Sequence, residues 1–237
     1  MKKTKVVSFA CAIIVLSFSA ARAEYFGAMG TATKPVSISL GAGYSHYSDK
    51  IQVGANYYNL KQNQIFLQVT ASIEVMEGYI RVGGADLRIE DALNPAVSGG
   101  KTEFKDDTYK AFVTAGTRGI LLINPNFSIN PFLQATFHPN FKDHAGSQEF
   151  NVSFYKVEAG FFFQGIFKPA AIYAGPFVYW LRGEAKGTTA LMGEFEEKGN
   201  LGGAAGIRIP LGSGISLEIE GQYRQNFSAG GLISYSF

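Results

Sequence analysis

Two small groups of residues in this sequence could carry acid–base chemistry. His46 stands three positions before Asp49 with Ser45 and Ser48 beside it, and His138 precedes Asp143 and His144. A histidine oriented by an aspartate is a general base, and a neighbouring hydroxyl would add a nucleophile. The same residues suit solvated loops, where serine and aspartate are common, and that plainer reading is preferred. His138 and His144 would meet as metal ligands only through a loop fold that brought in Asp143, and no cysteine accompanies them. No catalytic, cofactor or metal site is expected.

A larger set of charges recurs at alternate positions. Between Gly214 and Phe237, Ile215, Leu217, Ile219, Gly221 and Tyr223 share one parity, while Ser216, Glu218, Glu220, Gln222 and Arg224 share the other. A period of two with one apolar and one charged face describes a strand in the wall of a barrel, with lipid outside and a polar lumen inside. The same logic predicts Arg81, Arg88, Arg118, Glu158, Arg182, Arg208, Glu218, Glu220 and Arg224 in the lumen. Asp86, Glu90, Lys156 and Glu184 join them. Mixed signs in a narrow lumen predict ion pairs rather than a wide channel.

Ten strands are needed to place these residues. They begin near Val36, Gln62, Tyr79, Thr108, Phe127, Glu149 and Ala170, with three more between about 201 and 237. Eight is the alternative count. In the third strand Ile80 and Val82 start on the outer parity, whereas Leu87 and Ile89 lie on the opposite one. A bulge at Gly83 and Gly84 would shift the phase and bring Arg88 inward. In the seventh, Tyr173, Phe177, Tyr179 and Leu181 are predicted to face lipid, with Trp180, Arg182 and Glu184 inward. Tyr47, Tyr57, Tyr58, Phe104 and Tyr109 suggest an outer aromatic girdle.

Residues 48–61 read as a loop or as strand extensions, 91–107 and 139–148 as polar loops, and 185–200 as partly strand. Short turns near Met76, Pro125, Lys168 and Leu211 fall on the opposite rim. Short turns on one rim and long connections on the other are the asymmetry of bacterial outer-membrane barrels.

Met1–Ala23 reads as a cleaved signal peptide. Lys2, Lys3 and Lys5 precede the apolar run from Phe9 to Phe18, and small residues frame the end at Ala21, Arg22 and Ala23. The run is too short to span a bilayer comfortably. Residues 24–35 would be a periplasmic leader and 36–237 the barrel. Four of the 21 basic residues and none of the 19 acidic ones leave with the signal, so 17 basic residues face 19 acidic ones, a net charge of −2. No basic patch argues for nucleic acid. Cys11 is the one cysteine and lies in the signal, which excludes a disulfide scaffold.

On these features the chain resembles the outer-membrane β-barrels of the opacity-protein and OmpA-like type. The terminal pattern Gly231, Ile233, Tyr235, Phe237 resembles the C-terminal signal read by the barrel-assembly machinery, with Tyr235 and Phe237 as its aromatic residues. The resemblance implies a Gram-negative outer-membrane location, a monomer in contact with outer-membrane lipid and lipopolysaccharide, and an extracellular ligand, if any, at the loops. The expected function is that of a structural or surface-interaction barrel with a narrow charged lumen and no catalysis. A small porin is the alternative, and a rim hydrolase is less favoured. The strand number also invites comparison with the omptin proteases, whose acidic and His/Asp pairs have no convincing counterpart here.

Overall fold

The computed structural model describes residues 36–237 except Val97, 146–147 and 188–190. The expected signal peptide and leader lie outside the described residues. The described chain is a single antiparallel sheet of twelve strands. In order they are β1 (Val36–Val53), β2 (Asn56–Ile73), β3 (Met76–Ile89), β4 (Phe104–Gly119), β5 (Leu121–Asn124) and β6 (Phe127–Ala145). There follow β7 (Gln148–Phe167), β8 (Ala170–Lys186), β9 (Gly193–Glu197), β10 (Leu201–Gly212), β11 (Ile215–Tyr223) and β12 (Phe227–Ser236).

Ten of these close a ring. Each neighbour pairs antiparallel from β1 through β2, β3, β4, β6, β7, β8, β10, β11 and β12, and β12 returns to β1 with Ser39 opposite Ser236. The total exceeds the expected ten because of two short strands. β5 follows β4 after Ile120 and pairs with β6, while β9 pairs with both β8 and β1.

β1 and β2 are 18 residues long and β7 is 20. At a strand tilt near 45° an 18-residue strand rises about 40 Å, against an apolar band of about 25 Å. The barrel therefore projects well beyond the bilayer. β10, β11 and β12 are shorter, at 12, 9 and 10 residues. Above them β9 bridges β8 to β1, so eight strands make up the outer section.

The inside–outside code reverses along this axis. In the bilayer section Ile38, Leu40, Leu67, Val69 and Phe161 are exposed outward, and Gln68, Thr70, Glu158 and Glu218 are buried inward. In the projecting section the buried inward row is Ile51, Leu60, Leu87, Ile89, Phe141 and Phe150. There the exterior meets water, so charges belong outside and apolar residues belong inside, as in a soluble protein.

This reversal corrects several expectations. Tyr79 and Arg81 before the half-buried Gly83 and Gly84, and Ala85, Leu87 and Ile89 after them, are all buried on the same parity, so no phase change occurs at the glycine pair. Leu87 and Ile89 point inward, and Arg88 points outward to pair with Glu103 at 2.5 Å. Glu90 pairs with Lys61, and Asp86 accepts a 2.6 Å hydrogen bond from Asn63 Nδ2. The irregularity lies instead across β3 and β4, between Ala85 and Leu87. In β8 the assignment is inverted. Tyr173, Phe177, Tyr179 and Leu181 are buried inside, while Trp180, Arg182 and Glu184 are exposed. Tyr47, Tyr58 and Phe104 also lie in the interior, and of the expected girdle only Tyr57 and Tyr109 are exposed.

Residues 139–145 are strand rather than loop. β6 runs through to Ala145, with a bulge between His138 and Phe141 where Pro139 lacks an N–H. The β4–β6 ladder ends at Val113 opposite Phe137. Above it two carboxylates join the strands, Asp143 accepting from the Lys105 N–H and Asp106 from the Lys142 N–H, each at 2.8 Å.

Candidate functional site

The lumen is the site that the sequence points to, and it has three levels. At the periplasmic mouth a cavity of about 430 Å³ is lined by hydroxyls from Ser37, Ser39, Thr70, Ser72, Ser216 and Ser234. These residues alternate with lipid-facing Ile38, Leu40, Leu217 and Ile233, so the strand period itself places them inside. Two ion pairs border the cavity, Arg118–Glu77 at 3.2 Å and Arg208–Glu218 at 3.5 Å.

Above this cup the lumen fills with buried charge. Arg224 is ion-paired with Glu158, whose other oxygen accepts a 2.5 Å hydrogen bond from Gln134 Nε2. Lys156 Nζ is 3.8 Å from Glu158, and both side chains are fully buried. Aromatic rings enclose the cations. The Arg224 guanidinium lies 4.8 Å from the Tyr47 ring, 5.1 Å from Phe177 and 5.0 Å from Tyr179. Lys156 Nζ lies 4.0 Å from the Tyr47 ring. Such faces stabilise desolvated cations that carboxylates alone would not fully solvate. Tyr47 and Tyr179 donate to Asp49 at 2.9 and 3.3 Å.

A second polar group stands beside the first. Arg81 Nε donates to Gln68 Oε1 at 2.6 Å and its guanidinium lies 4.7 Å from the Tyr79 ring, while the Tyr79 hydroxyl donates to Gln134 Oε1 at 2.6 Å. Glu220 accepts from the Tyr173 hydroxyl and from Gln222 Nε2, both at 2.7 Å. Of the predicted lumen charges, Arg81, Arg118, Glu158, Arg208, Glu218, Glu220 and Arg224 thus point inward, and Arg88 and Arg182 stand outside. Asp49, Glu77 and the tyrosines were not among the charges assigned to the lumen. Their signal was parity, since Tyr47 and Asp49 continue the inward row of Ser37 to Ser45.

The third level is an apolar cap. Tyr47, Ile51, Leu60, Leu87, Phe104, Phe141, Phe150 and Leu181 belong to one buried cluster in the projecting section, each at most 1% exposed. Leu93 and Leu191, from the two connections, pack into the same cluster. The lumen is therefore open toward the periplasm and filled toward the outside.

The three histidines sit in different settings. His138 is fully buried among Phe112, Phe141 and Phe154, and its Nδ1 lies 3.3 Å from Gln62 Nε2. His46 Nδ1 is 2.8 Å from the Asn63 side-chain oxygen, and exposed His144 lies beside an Asp143 engaged by Lys101 at 2.7 Å. Among the described residues no three His, Cys, Asp or Glu side chains are placed to hold a metal ion. Outside the bilayer, hydrogen bonds from Lys61 and then Asn59 hold the Glu90 carboxyl below the ordinary glutamate range. The Lys142 hydrogen bond does the same for Glu149.

The closed ring, with its apolar exterior band and polar interior, has counterparts among solved structures. An outer-membrane channel from Pseudomonas putida F1 aligns with a TM-score of 0.51 at 12% identity, covering 90% of this chain and 100% of that one. The chain has the fold of the outer-membrane β-barrels. The translocator domain of the autotransporter NalP from Neisseria meningitidis aligns with a TM-score of 0.50 at 9% identity, over 100% of this chain and 97% of that one. The outer-membrane protease OmpT from Escherichia coli reaches 0.42 at 10% identity, over 85% and 96% of the two chains. At these identities the likeness to the channel and to the translocator domain is one of fold. No family model and no curated protein matches the sequence.

Proposed function

We propose that this outer-membrane barrel is a closed, surface-projecting barrel rather than a diffusion pore. The observation that carries the reading is the apolar cap above the Glu158–Arg224 belt. A solute path would have to pass through residues such as Leu60, Phe141 and Phe150, which have no exposed surface. The eight-stranded projection then serves as a rigid platform for recognition at the cell surface, where binding residues commonly sit on connections held by a scaffold. The reading involves no catalysis.

Tyr235 and Phe237 would act as the assembly signal. Both are exposed outward at the end of β12, with ring centroids 5.0 Å apart in an edge-to-face contact. The opacity-protein and OmpA-like affinity stays an architectural one, because the ring has ten strands where the small members of that type have eight.

Cysteine accessibility tests the closure. In the refolded barrel, Ser39→Cys at the periplasmic cup should react readily with a charged thiol reagent, while Leu60→Cys in the cap should be protected. Equal labelling of the two in folded protein would refute a closed lumen.

A further inference from the structure

We infer that the outward face of β6 to β9 holds the headgroup of a phosphorylated glycolipid of the outer leaflet, with Arg182 as its phosphate ligand. The placement follows from strand register. Phe137, Tyr155, Arg182, Glu196 and Gln52 stand directly opposite one another in that order across β6, β7, β8, β9 and β1. One row nearer the bilayer are Ala135, Val157 and Trp180, and the next row outward holds Ser153, Glu184 and Glu194. Within three rows the wall changes from apolar to aromatic and cationic, and then to acidic and polar. That gradient marks the lipid–water boundary.

A cavity of about 930 Å³ lies on this boundary, lined by all five residues of the middle row together with Pro139. Its aromatic end is open, with Phe137 58% and Tyr155 48% exposed, and Trp180 beneath them is 45% exposed. The neighbouring cations are engaged, Lys142 with Glu149 at 2.7 Å and Lys186 with Glu184 at 3.0 Å. Among the described residues Arg182 has no ion-pair partner within 4.0 Å, although it faces the groove.

The chemistry of the groove selects a ligand class. A guanidinium takes a phosphate through paired N–H donors. Glu194 and Glu196 would repel a bare anion, but they accept hydrogen bonds from sugar hydroxyls. The Phe137 and Tyr155 rings offer an apolar face to a sugar ring, and acyl chains descending from it would lie along Val157 and Trp180. A phosphosugar bearing acyl chains satisfies all four features. A glycerophospholipid supplies the phosphate and chains, but not the array of hydroxyl donors. The inference rests on the outer-membrane location and is independent of whether the lumen is closed.

Native mass spectrometry of the refolded barrel, mixed separately with lipid A, dephosphorylated lipid A and phosphatidylglycerol, tests it. Lipid A should be retained in preference to the other two. Arg182→Ala should lower its retention roughly fivefold, the scale of one basic residue at an anionic lipid surface, and Arg182→Lys should restore part of it. Arg88→Ala, which removes an outward cation elsewhere on the wall, should change nothing. Heat-modifiable gel migration would establish that each variant is folded. Equal retention of lipid A and its dephosphorylated form by the wild-type barrel would overturn the inference without any variant. So would undiminished binding by Arg182→Ala, or an equal loss in Arg88→Ala.

Discussion

Replacing Glu158 with Gln should cost more stability than any single exposed ion pair in this barrel could supply. Glu158 is fully buried, paired with Arg224, 3.8 Å from Lys156 and hydrogen-bonded to Gln134. The substitution keeps the volume and removes a carboxylate paired with both cations. Breaking a buried pair by neutralising one partner costs about 3 to 5 kcal/mol, because the remaining charge stays desolvated. The Tyr47, Phe177 and Tyr179 faces around Arg224, and Asp49 held by two of those tyrosines, offset part of this, so a loss of about 3 kcal/mol is expected. Arg224→Gln should cost a similar amount, and the double variant clearly less than the sum, with a coupling of about 1 to 3 kcal/mol. Urea unfolding in lipid vesicles, read by the fluorescence of Trp180, the single tryptophan, measures all three. Losses below about 1 kcal/mol with strict additivity would refute a buried, mutually dependent pair.

Three further outcomes follow from the same geometry. Phe161→Arg places a cation in the lipid-facing band and should destabilise the inserted barrel by about 2 to 4 kcal/mol; unchanged unfolding in bilayers would contradict the outward assignment. Gly175→Ala should prevent correct pairing of β7 with β8, because a β-carbon there would collide with the Phe161 carbonyl oxygen, and normal heat-modifiable migration of that variant would count against this register. At the outer rim, the depressed pKa of Glu90 means that its contribution is present above the unfolded-state value near 4.3 and is lost as pH falls through the folded-state value. Hydrogen exchange at the Glu90 amide, which donates to the Asn59 carbonyl, should accelerate in acid beyond the intrinsic rate, and Glu90→Gln should remove that change.

The barrel class was legible in the sequence because the bilayer section obeys a single rule. In β11 every second residue from Ser216 to Gln222 is polar or charged, Arg224 continues the row just past its end, and the residues between them are apolar or glycine. β8 defeated the same rule because both of its faces are apolar or aromatic over most of its length. Only Arg182 and Glu184 broke the tie, and they lie beyond the point where the code reverses. Leu87, Arg88 and Ile89 misled for the same reason, appearing to need a bulge when the strand had merely left the bilayer. Register across strands shows this at once, since Arg182 lies beside Tyr155 and Glu196 at the lipid boundary. The charges of the lumen were recognisable one strand at a time. Their partners were not, because Glu158 and Arg224 are 66 positions apart and meet only when the ring closes.

Single-channel recording of the refolded barrel in planar bilayers tests the closed lumen most directly. With heat-modifiable migration establishing that the protein is folded, a lumen capped by Leu60, Phe141 and Phe150 should give no openings. Reproducible conductance from the wild-type barrel would contradict the cap and return the chain to the class of small pores.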